Sequence, residues 1–202
     1  MTTKKYLTTL NTRPFLYKET KEIAGLIVQG IATEEIRKMV LQENLFQLAS
    51  NDRAIKFLNE ILKRLKELDF FLMDHFIESD PSTSKAILLY ALLKKDQLFY
   101  EWMREVAWDK LIIIEWHLTT KETMAFFETK SEQNEVIKNW GEATKKRLAS
   151  AYHKTLVDAE YAVFTDEGLQ LQPLIVSPSV RHYLKENKEK NIVEILLGES
   201  LG

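Results

Sequence analysis

The chain has 202 residues, 45% hydrophobic and 29% charged, with 28 Lys and Arg against 30 Asp and Glu. A net charge of −2 excludes a polycation, so any nucleic-acid site must be a local patch. With no Cys, disulfides, thiolate metal centres and Cys nucleophiles are excluded as well. Six Gly and four Pro among long periodic stretches point to a mainly α protein. The opening "MTTKKYLTTL" has no apolar core of a signal peptide. The longest clean apolar run, "AILLYALL" at 86–93, is far short of the roughly 20 residues needed to cross a bilayer. A cytoplasmic protein with no membrane partner is expected.

In chain order, residues 17–29 carry Ile23, Ala24, Ile27 and Val28 at helical spacing, and Gly30 offers a stop. Thr33 reads as the N-cap of a second helix, with Ile36, Met39 and Val40 inward and Glu34 and Glu35 in its first turn. Helix, glycine turn and helix outline a helix-turn-helix, although a plain bundle corner gives the same outline. Residues 51–68 form the most regular helix, capped by Ser50 or Asn51. Ile55, Leu58, Ile61, Leu62, Leu65 and Leu68 make its apolar stripe. Arg53, Lys56, Lys63 and Arg64 on this helix are a second DNA surface candidate; a solvated face is the plainer reading. Pro81 starts a helix over 82–94, and 96–108 forms another with Leu98, Phe99, Trp102, Val106 and Trp108 as a core wall. "KLIIIEW", 110–116, fits a strand or a buried helix, and helix is favoured because no partner strand is near. Thr119 or Thr120 caps the next helix, and a looser joint falls near 129–134. That joint divides the chain into an N-terminal helical domain, 1–130, and a C-terminal winged-helix-like domain, 131–202.

Residues 142–159 carry the functional argument. On a helical wheel, Thr144, Leu148, Ala151, Thr155 and Ala159 share a packing side bordered by Tyr152 and Leu156. Lys145, Lys146, Ala149, Ser150 and His153 are read as the opposite, exposed arc, with Lys154 at its edge. Small Ala149 and Ser150 would let the helix approach a polynucleotide, with Lys and Arg reaching phosphates. Lys145, Lys146, Arg147, Ser150, His153 and Lys154 are therefore the expected DNA-contact residues. "YAVF" and "LQLQPLIV" around "TDEG" then predict a β-hairpin with Gly168 in the turn. Helix followed by hairpin is the order of a recognition helix and its wing, but Asp166 and Glu167 at the tip would repel phosphate. Lys4, Lys5 and Arg13 read as a basic arm or a frayed terminus.

Catalytic signatures are missing. His75, His117, His153 and His182 include no i, i+3 or i, i+4 pair, and no P-loop, GxGxxG or GxSxG occurs. Asp74, His75, Glu78 and Asp80 stand close in sequence; solvated charges at a helix end explain them better than a metal does. The four Trp read as core before they read as base-stacking platforms. Neither catalysis nor a cofactor nor a metal is expected.

"YLTTLNTRPFLYKETKEIAGLI", "NLFQLASNDRAIKFLNEILKRLKEL", "AILLYALLKKDQLFYEWMREV" and "NWGEATKKRLASAYHKTLVDAEY" together resemble, in order and spacing, the BrxA family of bacterial BREX phage-defence systems. The resemblance covers nearly the whole chain. It implies a monomeric, mainly helical protein that binds double-stranded DNA through electropositive surfaces and supports methylation and restriction by the larger BREX proteins. Joined to the residue pattern, the expectation is a helical bundle with a helix-turn-helix-like N-terminal part and one short C-terminal hairpin, non-catalytic and weakly sequence-specific in its DNA binding. The alternatives are a protein-interaction scaffold within the defence complex, without direct DNA contact, and an RNA-binding helical bundle like an antitermination factor. Where the family's late helix ends in a small residue, Gly and an apolar pair, this chain has Ala159, Glu160, Tyr161 and Ala162, which leaves the helix exit open.

Overall fold

The computed structural model describes residues 5–201, so Lys4 of the expected basic arm lies outside the described residues. The fold is mainly α with one small sheet. Its centre is α5, Pro81–Lys95. The Asp80 carboxylate accepts from the Thr83 amide at 3.0 Å and Pro81 takes the first helical position, so the start is doubly fixed. Every side chain from Ala86 to Leu93 is at most 1% exposed. A helix apolar on all sides must be surrounded. It is packed by α3, Asn51–Leu65, α4, Phe70–Glu78, α6, Gln97–Trp102, and α12, Lys190–Leu197.

Ahead of these lie α1, Tyr17–Val28, and α2, Thr33–Gln42. Thr33 is not the cap expected of it. Ala32 holds the extended cap position, Thr33 is already helical, and no side chain caps this helix. Gly30 ends α1 at φ 82°, as its position suggests. Ser50 caps α3 through the Arg53 amide, and Thr119 with Glu122 forms a complete capping box on α8, Thr120–Gln133.

The segment 110–116 departs from expectation. From α6 the chain passes through a π-helical turn, Met103–Trp108, into the short α7, Asp109–Ile112, and there the helix stops. Strand β1, His117–Leu118, follows and pairs antiparallel with β3, Gly168–Leu171; β3 also pairs with β2, Ala162–Thr165. The sheet order is β1-β3-β2. The partner strand lies far off in sequence, so local reading could not supply it. Gly168 sits at φ 138°, and a Cβ there would stand 2.6 Å from the Leu118 carbonyl oxygen. Glycine is needed for the approach of β1 as much as for the hairpin turn.

Between β1 and the hairpin lie α8, α9, Glu135–Lys138, and α10, Glu142–Asp158. The expected domain boundary at 130/131 falls inside α8, and β1 and β3 pair across it. After the hairpin come α11, Pro178–Asn187, and α12. Tyr161 anchors the exit of α10 to the end of the chain through its hydroxyl, which donates to the Ile195 carbonyl at 2.6 Å.

Candidate nucleic-acid interface

Helix α10 is wedged more deeply than its wheel suggests. Leu148, Tyr152, Thr155 and Leu156 face the core as read from sequence, but Lys145, Ala149 and His153 are buried too. They pack toward α8, whose proximity the sequence does not announce. This corrects two of the six expected contact residues. His153 is 5% exposed and lies 5.9 Å from the Trp102 ring. Trp102 donates from Nε1 to Thr123 Oγ1 at 3.2 Å, and the same hydroxyl is hydrogen-bonded to His153 Nε2 at 2.8 Å, in a direction set by the imidazole tautomer. Burial pushes the imidazole pKa down to about 4. Lys145 runs its stem along the buried side and meets Glu142 at 3.4 Å.

Lys146, Arg147, Ser150 and Lys154 remain exposed, with small Ala143 in the same strip. Lys154 pairs with Asp158 at 2.6 Å. Among the described residues, Lys146 and Arg147 have no ion pair.

The second candidate surface divides in the same way. Arg64 is fully buried: its Nε meets Glu60 at 3.0 Å, and its two terminal nitrogens donate to the carbonyls of Arg13, Pro14 and Phe15 at 2.7–2.9 Å. It is a structural hub and not a contact residue. Arg53, Lys56 and Lys63 are exposed. Arg53 lies over the Phe57 ring at 5.1 Å, and Lys56 pairs with Asp52 at 2.5 Å.

These two helices meet at one depression. A groove of about 670 Å³ is lined by Arg13, Arg53 and Lys56 on one side and by Ser150 and Ala151 of α10 on the other. A second hollow of about 290 Å³ shares Arg13 and Lys56 and adds Lys63 and Lys95. Lys95 is already held by Glu60 at 2.8 Å. Arg13, read from sequence as part of an arm, is instead carried into the groove by the loop that Arg64 grips from below. Its neighbours Thr12 and Pro14 were the available signal for an ordered turn. Asp52, Glu60 and Asp158 are the acids of this surface that pair with its lysines; Arg13, Arg53, Lys63, Lys146 and Arg147 have no ion pair among the described residues.

The sequence neighbours Asp74, His75, Glu78 and Asp80 do not assemble. His75 stacks on Phe71 at 4.0 Å and bonds the Phe71 carbonyl, while Asp80 caps α5. Among the described residues no group of three or more His, Asp or Glu is placed to hold a metal, and no helix is long and apolar enough to cross a membrane. Trp102 is core, and Trp116 is exposed.

The BrxA family model matches residues 4–188. The chain belongs to the BrxA family. A BREX protein BrxA of Bacillus cereus (strain H3081.97) is 30% identical over 194 residues, covering 96% of this chain and 97% of that protein. A BREX protein BrxA of Paramagnetospirillum magneticum (strain ATCC 700264 / AMB-1) is 24% identical over 180 residues, covering 88% and 89%. The fold recurs in a crystal structure of an uncharacterized protein from Magnetospirillum magneticum, with a TM-score of 0.81 at 19% identity over 96% of this chain and 99% of that one. The BrxA match takes in α1 to α11 and ends before α12.

Proposed function

We propose that this BrxA-family chain is a non-catalytic accessory protein of a BREX phage-defence system that binds double-stranded DNA, in support of host methylation and phage restriction. The observation that carries the reading is the shared groove between α3 and α10, with the cations around it that carry no ion pair. The order α7, β1, α8, α9, α10, β2, β3 with sheet order β1-β3-β2 supports a winged-helix reading, with the short α9 added between two of its helices; in such a fold the helix before the hairpin meets the duplex. The exposed strip of α10 suits that role. Ala143 and Ser150 are small enough for close approach, and a B-DNA major groove of about 12 Å admits one helix. Lys146 and Arg147 then reach phosphates from α10, and Arg13 and Arg53 from the neighbouring wall. Asp166 and Glu167 make the hairpin tip a poor phosphate ligand, so the helix rather than the wing carries the contact.

The test is duplex binding by the isolated chain across a salt series. Four phosphate-neutralising cations give a log–log slope of about −3 to −4. Reversing Lys146 and Arg147 to Glu flattens the slope and weakens binding by at least about tenfold at low salt. No duplex binding at low salt leaves the scaffold reading in its place. Stronger binding to RNA than to DNA in direct competition favours the antitermination-like reading.

A further inference from the structure

A second surface has the opposite chemistry. The chain leaves α7 through a turn in which the Glu115 amide donates to the Lys110 carbonyl at 2.9 Å and the Ile114 amide to the Leu111 carbonyl at 3.2 Å. Ile114 occupies the left-handed position of that turn, at φ 63°. The corresponding position at the end of α1 is Gly30. A β-branched residue is strained there, and such strain tends to collect at binding surfaces. Here it keeps Ile112, Ile113 and Ile114 in solvent at 45%, 62% and 78% exposure, with Trp116 at 39%. Contiguous exposed apolar surface of this kind marks a contact site.

Ile114 and Ile113 line two depressions, of about 870 and 380 Å³ respectively, that share Lys110, Glu122 and Ala125 along the outer side of α8. With 14 residues, α8 offers a track of about 21 Å, and Ala125 leaves room for a neighbour at helix-packing distance. The rim is net acidic. Glu105, Asp109, Glu115 and Glu122 face Lys110 and Lys121 among the charged lining residues. Lys110 is already bound by Glu115 at 3.3 Å and Glu122 at 2.5 Å, Glu105 is paired from behind by Lys130 at 2.7 Å, and Asp109 is left without an ion pair among the described residues.

We propose that this groove docks an amphipathic helix of another protein, whose aliphatic side chains are flanked by Lys or Arg. A second copy of this chain fits badly, because a two-fold contact through this groove would set one acidic rim against the other. An anionic lipid surface is repelled by the same rim. This groove shares no lining residue with the basic one, so docking here and duplex binding are separable.

The experiment uses the full chain and a fluorescent synthetic peptide with Leu and Lys at helical spacing. A scrambled peptide of equal composition and a Leu–Glu counterpart serve as controls. The Leu–Lys helix binds, and both controls bind at least about tenfold more weakly. Ile113→Asp with Ile114→Asp weakens binding by a similar factor and leaves duplex affinity unchanged. Ile114→Gly, which suits φ 63°, keeps wild-type thermal stability yet loses peptide affinity, so a folding defect is not the cause. Equal binding of the scrambled peptide overturns the proposal, as does full affinity in the isoleucine variants. So does self-association, or attachment to phosphatidylglycerol vesicles, that those variants abolish.

Discussion

Helices α3 and α10 carry the same kinds of basic residue on two faces, and bury them by different means. In α3 the buried cation stays ionic: Arg64 keeps its charge because Glu60 and three carbonyls satisfy its donors. In α10 Lys145 reaches out to Glu142, while the more deeply placed base gives up its charge, and His153 sits neutral against Thr123 and Trp102. Arg53 and Lys56 of α3 and Ser150 of α10 line the common groove. Charge counted along a helix therefore says little about a binding face. The number of donors each buried group can satisfy separates hub, neutral core and contact strip.

The largest effect is expected at the ionic hub. Arg64→Ala leaves Glu60 with Lys95 alone and strips three carbonyls of their donor, a loss of roughly 3–5 kcal/mol in urea unfolding. It also frees the loop that presents Arg13, so duplex affinity falls in the protein that remains folded. Replacing Arg64 and Glu60 together with Met recovers much of the stability but not the loop position, and so not the affinity. If Arg64→Ala alone unfolds with wild-type stability, the two helices do not differ as described.

His153 is the next test, because its neutrality makes a pH signature that Arg64 lacks. Its folded pKa, about 4, lies below the ordinary value of 6.5, so the unfolded chain binds the proton more readily. The stability this imidazole contributes is whole above about pH 6.5 and is lost as pH falls toward 4, by roughly 3 kcal/mol over that window. His153→Gln offers Thr123 both a donor and an acceptor and does not titrate. Wild type and variant, compared by melting temperature, separate steadily below pH 6.5 to the disadvantage of the wild type. Parallel curves would mean that folding leaves the imidazole pKa unshifted.

Much of this was legible in advance for physical reasons that differ by element. Caps are local chemistry, so Ser50, Thr119 and Pro81 were readable from a few residues. The all-apolar run 86–93 could only be a surrounded helix. The hairpin was readable from its turn, whereas β1 was not, because its pairing partner is remote. On α10 one buried face followed from the wheel. The second depends on α8 lying alongside, so Lys145, Ala149 and His153 were misread as exposed. The isoleucines at 112–114 read as part of a buried helix for want of a nearby partner strand, and the left-handed exit at Ile114 turns them outward instead.

The smallest effect is expected where α10 ends, and it contrasts with α3, which exits through ordinary right-handed turns. Glu160 stands at φ 63°, with the Glu160 amide on the Val157 carbonyl and the Tyr161 amide on the Leu156 carbonyl, the turn that usually takes Gly. Its carboxylate compensates by binding Lys85 at 2.6 Å and Ser82 at 2.5 Å, which hold its pKa below the usual range. Glu160→Gly exchanges those bonds for relief of a backbone penalty of about 1–2 kcal/mol, so the net change stays within about 1 kcal/mol. Glu160→Ala loses the bonds and keeps the penalty, and is the less stable of the two variants. Because a lowered carboxylate pKa gives stability that disappears as pH falls through it, any advantage of wild type over Glu160→Gly shrinks in acid. An advantage that instead grows on acidification, read by thermal unfolding of both proteins, would show that Lys85 and Ser82 are not what holds this turn.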